Sequence, residues 1–412
     1  MRPVPLRIRS LGRVGRVALV ASVGLVAWAV ASAPAWAASW SAPVALPGSC
    51  GSSVALNPAG ATAAGGTFTA ADGSTHVEVC TSSDGKSWQA TDLGAGGNEP
   101  NSGPRPAVAV ASNGQVIAVW GTGSGCPGAC SYTVQAAVRS PGGVWGAPVT
   151  LTTALTIGNG GIVLGTDGSG RAIAAWIELS NVHEAVLSAG GTWGPDTAIS
   201  DNLDQGPAHD LSLAVDPSGA AIVAFNGGLN NLWAVSGSMA GGFSAPVEVA
   251  LGYGNSNYHL TGLSALALNN AGQASIAWSV TGHTGTATRS PAGAWSAPTI
   301  LATQASASVS TAIDGGGDAI TVYGSSYAWD PAGAGWGTPV PLATGSTGGL
   351  VVADQAGTFV YADSTADAFT FAPGAANFGP GSGARGSLAD LTIVPGQAVV
   401  LAGDAVFTEP VN

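Results

Sequence analysis

The sequence predicts an all-β chain: a β-propeller of four-stranded blades, eight of them, closed by pairing of the N- and C-terminal segments. Three observations carry that reading. An aromatic residue opening a near-constant heptapeptide returns eight times, a hairpin signature with a glycine turn returns in step with it, and each end of the chain holds the part of a repeat that the other lacks.

WSAPVAL at 40–46 comes back as WGAPVTL at 145–151 and WSAPTIL at 295–301. With degenerate copies the series runs Trp40, Trp88, Trp145, Trp193, Phe243, Trp295, Trp336 and Phe378, at spacings of 48, 57, 48, 50, 52, 41 and 42. A period in this range marks a chain of stacked units, none of which can bury its faces alone. Between the aromatic starts lie two alternating apolar segments around a turn, as in AVAVASNGQVIAVW (107–120), LSLAVDPSGAAIVAF (211–225), LSALALNNAGQASIAW (263–278) and VSTAIDGGGDAITVY (309–323). Period-two alternation flanking Asn, Asp and Gly is the signal of a hairpin of half-buried strands. Its turn glycines are Gly60, Gly114, Gly170, Gly219, Gly272, Gly317, Gly357 and Gly396.

A third segment follows each hairpin, for example YTVQAAVRS at 132–140, and then the aromatic-led fourth. Each unit is thus strands A, B, C and D, which is a propeller blade. The chain opens on a lone D strand at Trp40 and ends on LADLTIVPGQAVVLAG and DAVFTEPV, which read as A, B and C. Joining them gives an eighth blade and removes the free sheet edges. If the last hairpin packs outside the ring, the count falls to seven. Of the eleven Trp after residue 37, six open D strands, Trp120, Trp176 and Trp278 end B strands, and Trp233 and Trp329 lie in C strands, so blade packing accounts for all of them.

Arg2, Arg7, Arg9, Arg13 and Arg16 precede an apolar run from Val17 to about Ala31 and then Ala35-Trp36-Ala37. That is the layout of a cleaved secretory signal over 1–37, with 38–412 as one propeller domain, and the expected location is extracellular. The apolar run is short for a membrane span, and no later run is long enough. Cleavage removes five of the eleven basic residues and none of the 23 acidic ones, leaving six against 23 and a net charge of −17. Nucleic acid is therefore not an expected partner, because phosphate binding rests on clustered Lys and Arg, and Lys86 is the single lysine. Four cysteines in an exported chain suggest two disulfides. The short CPGAC loop favours Cys126 with Cys130, leaving Cys50 with Cys80; a four-thiolate metal site is the rival reading.

The turn SSDGKSW at 82–88 resembles the Asp-box of sialidase-type propellers, and the repeat rhythm is similar to that of secreted bacterial propellers of that broad superfamily. The resemblance implies the fold. It does not carry the sialidase chemistry here, which would require an arginine triad for the substrate carboxylate. Arg139 and Arg289 read as solvated turn residues and Arg171 follows an A-to-B turn, so only Arg105 and Arg385 are left for such a role.

In a propeller the D-to-A and B-to-C loops share one face, and the A-to-B and C-to-D turns share the other. In this sequence the second class is short and glycine-rich while the first is long and irregular, and variable loops on a rigid scaffold are where binding concentrates. On that face fall His183, His209 within DNLDQGPAHD (201–210), His259 within GYGNSNYHL (252–260) and His283, with His76 at its border. Asp201, Asp204 and Asp210 could take Ca²⁺ with nearby carbonyls, or pair as acid and base. Tyr253, Asn255, Asn257 and Tyr258 are the stacking and hydrogen-bonding types that a sugar needs. No cofactor motif, nucleophile elbow, phosphate loop or metalloprotease motif is present. The expectation is a secreted, non-catalytic propeller binding a glycan or an extracellular protein through its long-loop face. The alternatives are a polysaccharide hydrolase or lyase using carboxylates on that face, and a structural envelope module.

Overall fold

Each predicted hairpin forms around a glycine that other residues would strain to replace. The computed structural model describes residues 40–96, 106–123, 132–154, 157–200, 208–227, 231–251, 264–280, 282–342, 348–371, 377–379, 381, 383 and 385–410, with backbone alone for 154, 157–160, 209 and 264. All eight predicted turn glycines have positive φ, from 77° at Gly272 to 99° at Gly357, a region open to Gly at little cost. Ahead of most of them an Asn or Asp side chain folds back on the turn. Asn57 Oδ1 accepts the amides of Ala59 and Ala61, Asp216 Oδ1 those of Ser218 and Ala220, and Asp354 Oδ1 those of Ala356 and Thr358. These carboxylates and amides are buried, so the turn is fixed from inside.

The strands assemble into eight antiparallel blades in an eight-bladed propeller, with no helix among the described residues. In blade 1, A is Ser53–Leu56, B Thr62–Thr69, C Thr75–Ser82 and D Gln89–Ala95. Blades 2 to 7 follow in chain order. Strand A of each blade touches strand A of the next, all the way round, and that of blade 8 touches that of blade 1. The A strands are therefore the inner ring, and the D strands are outermost.

Blade 8 is built from both ends of the chain. Its A, B and C strands are Leu388–Val394, Gln397–Ala402 and Ala405–Glu409, and its D strand is Val44–Ala45, paired Val44 to Val406 and Ala45 to Ala405. The segment leading into blade 1 is sewn down on both sides. The Leu46 amide donates to the Asp404 carbonyl, the Ser49 amide to Glu78 Oε2 at 2.6 Å, and Cys50 is disulfide-bonded to Cys80. Gly66 admits this crossing, because a Cβ there would overlap the Ser49 carbonyl. Cys126 and Cys130 lie outside the described residues.

The core is divided among the blade interfaces. Eight apolar clusters occupy the eight interfaces, and each takes one aromatic from the repeat series: Trp145 between blades 1 and 2, Trp193 between 2 and 3, Phe243, Trp295, Trp336 and Phe378 at the next four, Trp40 between 7 and 8, and Trp88 between 8 and 1. This is why the heptapeptide recurs: every interface needs one large ring at its outer end. The proline in it has a separate cause. With no amide to give, Pro interrupts the ladder, so D begins as a single bridge at Trp145, Trp193 or Trp295 and resumes past the Pro. On an outermost strand that break discourages edge-to-edge pairing. In blade 7 the fourth position is held by residues 377–379, where the Gly379 amide donates to the Thr370 carbonyl.

Candidate functional site

The two ends of the ring differ in how they are finished. At the A-to-B turns, neighbouring blades are stitched together: Asn57 Nδ2 donates to the Ala111 carbonyl, Ser112 Oγ to Gly168, the Gly168 amide to Pro217, and Asn269 Nδ2 to Asp314. Arg171 belongs to this fabric, bonded at 2.6 Å to Asp167 and reaching the Ser218 carbonyl of the next blade. Arg289 is tied too, donating to the Gly272 carbonyl, so it is more than the solvated turn residue that the sequence suggests. Such a surface leaves few polar groups for a partner.

The other end carries the B-to-C and D-to-A connections, and here the structure corrects the sequence expectation: in blades 3, 6 and 8 only two residues join strand B to strand C, fewer than in most A-to-B turns, so the long connections of this face are chiefly the D-to-A ones. Asp201, Asp204, Tyr253, Asn255, Asn257, Tyr258, His259 and Arg105 lie outside the described residues. His209 opens strand A of blade 4, His209–Val215, with its backbone opposite Asn226. Asp210 follows with a left-handed backbone (φ 49°), and its Oδ2 accepts from Asn226 Nδ2 at 3.2 Å. His283 begins strand C of blade 5, His283–Arg289, half-buried, and burial lowers its pKa.

His183 has the densest surroundings. It lies on strand C of blade 3, Asn181–Leu187, joined to strand B, Ala172–Glu178, by a two-residue turn in which Leu179 takes a positive φ of 57°. Strand D, Thr197–Ala198, pairs with His183 and Glu184 and brings Asp196 alongside. His183 Nδ1 is 2.7 Å from Asp196 Oδ1 and 3.9 Å from Glu178 Oε2, and the imidazole stacks on Trp176. From the D strand of blade 2, Val149–Ala154, the Thr152 hydroxyl donates to the same Glu178 oxygen at 3.1 Å. Among the described residues this is the group of three His or acidic side chains whose ligand atoms lie within 4.8 Å of one another. Glu184, on the alternate face of the strand, is buried and pushed up to about 7, by desolvation first and then by the charge of Asp196.

Blade 1 holds a simpler version. His76 Nδ1 faces both oxygens of Asp92, at 2.8 and 3.0 Å, with Phe68 beside the ring. Sequence reasoning found both histidines but missed Glu178, Asp196 and Asp92. The available signal was the repeat itself, since an acid follows His76 by 16 residues and His183 by 13, in the D slot each time.

Among the described residues, concave sites lie between blades 6 and 7 and between blades 2 and 3. A cavity of about 140 Å³ between blades 6 and 7 is walled by Tyr327, Pro341, Leu342, Tyr361, Phe369 and Phe378, and Tyr327 donates its hydroxyl hydrogen to Asn377 Oδ1. A wider groove of about 590 Å³ between blades 2 and 3 is lined by Trp145 and Trp193. At the inner ring, the described A strands carry two acids, Asp210 on blade 4 and Asp390 on blade 8, half a ring apart.

The propeller is similar to several solved structures. Sqt1 of Chaetomium thermophilum, solved bound to the N-terminus of the ribosomal protein L10, aligns with a TM-score of 0.57 at 12% identity, over 89% of this chain and 99% of that one. Sqt1 of Saccharomyces cerevisiae gives 0.55 at 10% identity over 88% and 97%, and BamB from Moraxella catarrhalis gives 0.54 at 12% over 91% and 100%. At these identities the likeness is one of fold. No protein-family model matches the chain, and no curated protein does. In the turn at 82–88, Asp84 Oδ1 accepts the Lys86 and Ser87 amides, the Trp88 indole donates to the Gly85 carbonyl, and the amide bonds hold the Asp84 carboxyl down at about 2.

Proposed function

We propose that the chain is exported, with 1–37 as its cleaved signal, and that 38–412 is a non-catalytic binding propeller that takes a carbohydrate or an extracellular protein on its long-loop face. The observation that carries this reading is the contrast between the two ends of the ring. The A-to-B turns spend their polar groups on each other, while His76, His183, His283 and Asp210 sit at strand ends on the opposite side, in slots that change from blade to blade. A rigid frame with one variable polar face is the usual arrangement of a binding scaffold. Kinship with secreted Asp-box propellers is part of the proposal and is supported by the Asp84 turn.

The test is the melting temperature of mature protein against a glycan panel and against fractions of extracellular protein, since a ligand of the native state must raise it. A shift that is lost in Asp204→Ala, His209→Ala or Tyr258→Ala supports the reading. No shift, or one that survives all three, overturns it.

A further inference from the structure

We infer that Glu178, His183 and Asp196 form a binding site for a first-row divalent cation, Zn²⁺ foremost, in the seam between blades 2 and 3. The site shares His183 with the polar face of the partner-binding reading above but does not depend on that reading, and it is tested with the metal alone.

An imidazole nitrogen carries one hydrogen at most, and His183 Nδ1 faces two carboxylates, Asp196 at 2.7 Å and Glu178 at 3.9 Å. A hydrogen bond to Asp196 leaves Glu178 with the Thr152 hydroxyl as its neutral partner. Among the described residues neither carboxylate has a Lys or Arg at ion-pair distance. All three side chains are three-quarters buried or more, at 17%, 19% and 24% exposure, so solvent screens the two acids only in part. A divalent cation in place of the proton would neutralise both. Blade 1 supplies the internal contrast: there one nitrogen, of His76, meets the two oxygens of one carboxylate, Asp92, and a single proton matches a single charge.

The geometry fits a small cation. Ligand bonds of about 2.1 Å at tetrahedral angles set donor atoms roughly 3.4 Å apart. The observed 2.7 and 3.9 Å from His183 bracket that separation, and all three ligand atoms lie within 4.8 Å of one another, so a metal would draw the two carboxylates together by rotamer adjustment. The ligands come from the end of strand B, the start of C and the approach to D, three positions fixed by one hairpin and its neighbour. Thr152, from the adjacent blade, orients the Glu178 oxygen as an outer-shell partner does. An imidazole with two carboxylates suits zinc and its neighbours better than Ca²⁺, which wants six to eight oxygens. Three protein ligands leave the fourth position for water or for an oxygen of a partner.

The experiment is calorimetric titration of chelator-treated mature protein with Zn²⁺, with Co²⁺ as a coloured probe and Ca²⁺ for contrast. The expected result is one equivalent of Zn²⁺, visible Co²⁺ bands of a four-coordinate site, and affinity at least tenfold weaker in Glu178→Gln and Asp196→Asn, with Asp92→Asn unchanged. If either variant fails to fold, Thr152→Val decides, with a roughly tenfold loss expected for a lost outer-shell partner. Absence of stoichiometric uptake, or uptake that these variants leave intact, overturns the assignment.

Discussion

Replacing Asp390 by Asn should stabilise the protein at alkaline pH relative to its effect at acid pH. Asp390 sits at a bulge in strand A of blade 8, where its Oδ2 accepts the Val54 amide from strand A of blade 1 at 2.8 Å and its Oδ1 accepts the Leu391 amide, so it bridges the seam where the ring closes. Burial pushes its carboxyl from 3.8 up to about 6, although both amide bonds pull the other way. A raised acid in the folded state means that the native protein holds the proton more tightly than the unfolded chain does. Stability from this group is therefore complete below about pH 4, falls between pH 4 and 6, and is level above that. At about 1.4 kcal/mol for each tenfold change the whole loss is about 3 kcal/mol. Roughly 1.4 kcal/mol of it is expressed between pH 5 and pH 8, because at pH 5 the folded carboxyl is still protonated while the unfolded one is ionised. Asp390→Asn keeps an oxygen for Val54 and never ionises. Its cost from the weakened Leu391 bond is the same at both pH values and cancels. Urea unfolding at pH 5 and pH 8 should show the variant gaining about 1 to 1.5 kcal/mol on the wild type at the higher pH. A gap that stays constant, or that moves against the variant, would refute the account of the seam as a desolvated carboxylate.

Three further outcomes follow from packing. Trp120 is fully buried with its indole donating to the Ala95 carbonyl at 3.2 Å, and Trp120→Ala should lower stability by about 3 to 5 kcal/mol in a denaturant titration. Gly66→Ala should loosen the 46–53 crossing, read as a lower melting temperature and earlier proteolysis near Ser49 than in the wild type. Cys50→Ser with Cys80→Ser opens a 30-residue loop and should cost about 3.5 kcal/mol, with reductant reproducing the loss in the wild type.

The architecture was legible because it is written eight times. One D-strand aromatic serves one interface, one turn glycine serves one A-to-B hairpin, and the split repeat at the two ends favours a closed blade 8 over the seven-bladed alternative, which the pairing of the two ends then rules out. The Cys50–Cys80 pairing followed by elimination from the CPGAC spacing, and the bond is present. The site was less legible. His183 was named from its loop-side slot, but Glu178 and Asp196 are five residues before it and 13 after it, and neither carries a local signature. Asp390 passed unnoticed because a lone acid in an apolar strand has no meaning until the strand that it faces is known.

Local rules therefore determined what each segment becomes, since alternation, turn glycines and edge prolines act within a few residues of themselves. Only the tertiary structure decided which polar groups meet. The Val54 amide reaches Asp390 across 336 positions of sequence, and Thr152 reaches Glu178 from another blade. Such contacts depend on the register of one sheet against the next, and closing the ring fixes that register in a way that no single repeat encodes.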